Sequence, residues 1–187
     1  MEPWLRGPLA GAGVLVAPVL YGFIQAREDL ARHTAGLTTA QVWAHPHGLA
    51  PLGFHLRHMA GSVDRLTTYL EGRALSAEQM AALAAEMDAG ETLEALLASI
   101  DHALARAEAV IRAIDPASFA DPRWVGRQRL PTTVIGLLVH IAEHTQRHLG
   151  QAIAAAQLAR NAPSRPEPSK PPATSPWPPA TPRVAPD

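Results

Sequence analysis

From residue 18 to residue 159 the apolar side chains recur at three- and four-residue intervals, gathered in four runs. The first holds Val19, Phe23, Ala26 and Leu30. It begins at Pro18, which suits a first helical turn because the N–H it lacks has no partner there. It closes at Gly36, a residue able to take the left-handed cap conformation. The second run spans about residues 51–71, with Leu52, Met59, Val63, Leu66 and Leu70 on one face. In the third, Leu93, Leu97, Ile100, Leu104, Ala107, Ile111 and Ile114 alternate spacings of four and three. The fourth covers about residues 132–159. Such spacing predicts amphipathic helices.

Between the second and third runs, "EGRALSAEQMAALAAEMDAG" predicts a turn, a short helix capped by Ser76, and a glycine stop. The stretches "LTTAQVWAHPHGLAP" and "DPASFADPRWVGRQRLP" read as loops, and the chain carries no internal repeat and no strand-like alternation. The predicted fold is therefore all-α: a four-helix bundle with one extra short helix in a crossover.

Composition adds boundaries to this picture. At 187 residues and 47% hydrophobic content, the chain can bury one sizeable core, expected over residues 1–160. From residue 161 onward proline dominates, which excludes helix and ladder and predicts a disordered tail. Within it "SKPPATSPWPPATP" is a candidate for docking a partner. The net charge of −1 gives no footprint for nucleic acid or an anionic membrane. The absence of cysteine excludes disulfides, protein thiolate nucleophiles and cysteine-ligated zinc. It also fits a reducing, cytoplasmic compartment. The uncharged stretch Leu9 to Gln25 is short for a membrane span and contains Pro18, so it reads as a loop running into a core helix.

The candidate chemistry lies in "HIAEHTQRHLGQ", which places His140, His144 and His148 at intervals of four. On a helical wheel with His144 at zero, Leu137, His148, Ile141 and Val134 fall at about 20°, 40°, 60° and 80°. His140 falls at about −40°, toward Glu143 and Arg147 on the polar side. His144 and His148 thus lie where the helix should face the bundle, one turn apart and able to chelate one ion. His140 lies at the rim, about 12 Å along the axis from His148, and cannot share that ion. In "FHLRHMAGSVDRL" the second helix offers His55 and His58. A pair on one helix and a third imidazole on another can build a metal site inside a bundle. Ordinary histidines on a half-polar face are the alternative, and His33, His45, His47 and His102 are read as surface or loop residues.

The two motifs together, "HLRHMAGSVDRL" and "HIAEHTQRHLGQ", resemble those of the DinB-like superfamily of bacterial four-helix proteins. The resemblance extends over roughly residues 10–160 as an architecture. It implies that His58, His144 and His148 bind a divalent transition metal such as zinc, nickel or iron. The wheel of the second helix places His55 slightly nearer the apolar centre, so His55 stands as the substitute for His58. A three-histidine metal with an open position suits either hydrolysis by an activated water or binding of a small thiol. The resemblance implies the second, a metal-dependent transferase acting with a low-molecular-weight thiol, and a homodimer is expected. The rival reading is a helical interaction protein, with or without metal. Glu143 and Asp64 point away from the histidine face, which leaves the general base and the catalytic residues unknown. Gly150 is expected to serve close helix packing and Gln151 to orient a ligand or water. Arg123, Arg127 and Arg129, ahead of the last helix, read as a solvated loop, with an anion site as the alternative.

Overall fold

The computed structural model of the chain describes residues 1–161. The expected disordered tail falls on residues 162–187 and lies outside the described residues. The four predicted runs are four helices: α1 (Ala17–Thr34), α3 (Leu52–Leu70), α5 (Leu93–Arg112) and α6 (Val134–Asn161). The crossover between α3 and α5 carries α4 (Ala77–Ala84), whose N-cap Ser76 forms a reciprocal capping box with Gln79.

The apolar stripes meet in one core. Val19, Phe23, Ala26 and Leu30 of α1 are buried, as are Leu52, Met59, Val63, Leu66 and Leu70 of α3. Leu56, Leu104, Leu138 and Ile141 are fully buried where the helices face one another. Each such side chain contributes on the order of 1.5–3 kcal/mol relative to leaving it in water. Helix α6 packs between α1 and α3, and α5 covers the other flank of α3. Polar side chains inside this core are satisfied locally. The hydroxyls of Thr34, Thr67 and Thr145 donate to the carbonyls of Leu30, Val63 and Ile141, one turn back, at 2.7–2.8 Å.

Two expectations need correction. The loop after α1 contains a single helical turn, α2 (Thr39–Val42), started by a capping box between Thr38 and Gln41. More consequentially, the segment read as a loop before α6 forms a small antiparallel hairpin, β1 (Pro122–Val125) and β2 (Leu130–Thr133). Four residues per strand are too few to show alternation, and Pro122 and Pro131 argue against strands except at edges. This ribbon has only edges. Its value lies in what it closes. Arg123 Nε donates to the carbonyl of Leu70 at 2.7 Å, capping the C-terminal end of α3. At the start of α6, the N–H groups of Val134 and Ile135 donate to the carbonyls of Asp121 and Phe119, and that of Gly136 to the Thr133 hydroxyl. The hairpin thus sets the end of α3 beside the beginning of α6, so the two helices run antiparallel and their middles face each other.

Candidate metal centre

That antiparallel pairing brings the two histidine motifs together. His58 from α3 and His144 and His148 from α6 each offer a ring nitrogen, all within 4.8 Å of one another. The Nε2 atoms of His58 and His144 are 3.2 Å apart. The His144 and His148 ring centres are 4.5 Å apart, and those of His58 and His148 are 4.3 Å apart. Two nitrogens bound tetrahedrally to one ion at about 2.0–2.1 Å stand roughly 3.3 Å from each other. The His58–His144 pair is therefore already spaced for a shared ion.

All three rings sit at the border between core and solvent; the His58 side chain is 19% exposed. Burial, reinforced by the neighbouring imidazoles, pushes His144 and His148 down to about 4. At neutral pH both are uncharged, the state in which imidazole is a ligand. Their Nδ1 atoms are buried with no hydrogen-bond partner. The arrangement is compatible with a metal-binding site.

His55 is placed elsewhere. Its ring centre is 6.1 Å from that of His148, and its nitrogens fall outside the close group. Burial lowers its pKa as well, and its Nδ1 has no partner. His140 lies at the rim, 46% exposed, its ring centre 5.2 Å from that of His144. Its Nδ1 is 2.9 Å from Glu143, which also pairs with Arg147 along the surface of α6. Asp64 is engaged by Arg106 at 2.8 Å and by Gln79 at 2.5 Å.

The structure adds a residue that the sequence pattern does not announce. Glu86, in the stretch following α4, is 5% exposed. Its Oε2 lies 2.7 Å from His58 Nδ1, on the side of the ring opposite His144. Its Oε1 is 2.9 Å from the buried Arg65 guanidinium, a charge contact without an aligned hydrogen bond. Burial alone would raise the Glu86 carboxyl, but the His58 hydrogen bond and the Arg65 charge outweigh it and hold the pKa below the usual value. No spacing rule links residue 58 to residue 86. The only local sign is Gly61 inside α3: a Cβ there would stand 2.7 Å from Arg65 Nη1 and 3.0 Å from Glu86 Oε1.

Arg57 fastens this stretch to α3. It donates to the carbonyls of Ala85, at 2.6 Å, and Asp88, and pairs with Glu91 at 3.1 Å. Its guanidinium lies 4.8 Å above the Trp43 ring, whose Nε1 donates to the Glu91 carbonyl at 2.8 Å. The crossover is thereby held where Glu86 meets His58.

Other candidates lie apart from the histidines or do different work. Gly150 is exposed, and a Cβ on it would meet nothing within 4 Å, so it does not mediate close helix packing. Gln151 is exposed. Arg127 and Arg129 line a cleft of about 460 Å³ with Arg73, Tyr69 and Trp124, beside the hairpin rather than beside the histidines. Arg129 stacks over Trp124 at 4.9 Å, while Arg123 serves as the cap on α3. Among the described residues, no helix is long and apolar enough to cross a membrane.

No curated protein matches the chain. Residues 23–152 match the DinB superfamily, a span that begins in α1, covers both histidine motifs and ends in α6. With its helical bundle and paired histidine motifs, the chain belongs to the DinB superfamily.

Proposed function

We propose that this protein is a divalent-metal-dependent enzyme of the small-thiol transferase type, with His58, His144 and His148 as metal ligands. The observation that carries the reading is the convergence of three imidazoles from two helices within 4.8 Å. Three nitrogen donors at a solvent border leave a coordination position open, as in catalytic rather than structural zinc-like sites. The bound ion would supply Lewis acidity that lowers the pKa of a thiol or water brought to it. A small thiol is the favoured partner because the DinB resemblance implies it over water, and a metal-bound thiol would serve as nucleophile with no protein cysteine.

The surrounding residues have separable tasks. Phe54 stacks on His58, ring centres 5.5 Å apart and planes 22° from parallel, and would limit how that imidazole can turn. His140, beside His144 at the exposed rim, is the residue placed to exchange a proton with an incoming group. Glu143, bound to His140 Nδ1, would orient that ring.

The test is elemental analysis of protein purified without a histidine tag, followed by screening of small thiols as co-substrates. About one equivalent of a transition metal, lost in His144→Ala, supports the reading. Absence of metal together with no uptake of zinc, nickel or iron would refute it and favour a metal-free interaction protein.

A further inference from the structure

We propose that Glu86 is the positioning residue for His58, setting both the orientation and the tautomer of its ring. This inference rests on the reading of His58 as a ligand for its consequence in metal affinity, but not for its structural content. A carboxylate only accepts hydrogen bonds, so the 2.7 Å contact to Oε2 requires the proton of His58 to sit on Nδ1. In the neutral imidazole, the form able to bind a metal, the lone pair is then on Nε2, which faces His144 Nε2 at 3.2 Å. Without metal, that contact needs one proton between two nitrogens. With both rings neutral, Glu86 decides which of them supplies it: His58 accepts and His144 donates from Nε2. The buried, unpartnered Nδ1 of His144 is the lone-pair end of the same assignment.

The carboxylate is itself fixed. Arg65 stands 2.9 Å from Oε1 with only 10% of its side chain exposed, so a buried guanidinium charge holds the carboxylate from its other side. Arg57 ties down the residues on both sides, through the carbonyls of Ala85 and Asp88. A carboxylate behind a ligating histidine raises ligand basicity and holds the ring in place, and removing one commonly costs 10- to 100-fold in metal affinity. Here that partner comes from the crossover, so α3 and α6 provide the donors while a third segment aims one of them.

The experiment uses the full chain, with Glu86→Leu and the isosteric Glu86→Gln. Long-range nitrogen–proton NMR on metal-stripped protein above pH 7 reads the His58 tautomer directly. The Nδ1–H form is expected in the wild type and a mixture containing Nε2–H in Glu86→Leu. Zinc titration by competition with a chromophoric chelator should show Kd weakened about 10- to 100-fold in Glu86→Leu. Glu86→Gln can still accept the proton through its amide oxygen, so it should retain the tautomer while losing part of the affinity. Circular dichroism and a urea midpoint identify a variant that has failed to fold, in which case Glu86→Gln decides. Finding the Nε2–H tautomer in the wild type overturns the inference. So does a folded variant set whose tautomer and zinc affinity equal those of the wild type. A wild type that binds no zinc refutes the metal reading, while the tautomer comparison still decides the role of Glu86.

Discussion

His58 and His144, 86 positions apart in the chain, face each other through their Nε2 atoms at 3.2 Å. The contact joins the middles of two antiparallel helices and divides the histidines into those that converge and those that border them. Replacing His58, His144 or His148 singly by alanine should reduce zinc or nickel binding by at least tenfold, because each removes one of three donors. His140→Ala and His55→Ala should bind within about threefold of the wild type, since neither reaches the close group. Titration of all five variants against a competing chelator makes the comparison. A His55→Ala loss as deep as that of His58→Ala would mean that His55 is the ligand from α3.

Acid should destabilise the metal-free protein over a defined range. His144 and His148 are held down to about 4 in the folded chain, against 6.5 for the ordinary imidazole. As pH falls from above 6.5 toward 4, the unfolded chain takes up protons that the native site resists, so folding stability declines through that window. Urea midpoints of metal-stripped protein at pH 7.5, 6 and 5 should fall in that order. In a His144→Gln, His148→Gln double variant the decline should be shallower, because the two titrating groups are gone. Parallel curves for both proteins would place the acid sensitivity elsewhere.

The bundle was legible in the chain because four-and-three spacing is a local property, and the residues it selected face the core. The histidines of α6 were legible for the same reason: one turn of one helix fixes His144 and His148 on a shared face. The choice between His55 and His58 was not, since both lie near the edge of the apolar stripe and periodicity separates them by too little. Their fate depends on how α3 rotates against α6. Glu86 was invisible because its partners, His58 and Arg65, lie across a crossover whose path no periodicity encodes. The hairpin escaped for a different reason: its pairing satisfies the ends of α3 and α6, a requirement that arises only once those helices are placed.

The two helical glycines that flank this chemistry should respond oppositely to alanine. At Gly61, alanine would gain up to about 1 kcal/mol of helix propensity. Its Cβ, however, would stand 2.7 Å from Arg65 Nη1 and 3.0 Å from Glu86 Oε1, forcing a buried ion pair to move. Overpacking of that kind costs about 1–3 kcal/mol, so Gly61→Ala should be neutral to destabilising, with weakened zinc binding as His58 loses its support. At Gly150 nothing lies within 4 Å of a new Cβ, and the position is exposed inside α6. Gly150→Ala should therefore stabilise by roughly 0.5–1 kcal/mol and leave zinc affinity unchanged. Urea denaturation and zinc titration of the two variants read both effects together. Equal stabilisation by both, with affinity intact, would show that Arg65 and Glu86 can shift freely and that the place of Glu86 behind His58 is not enforced by packing.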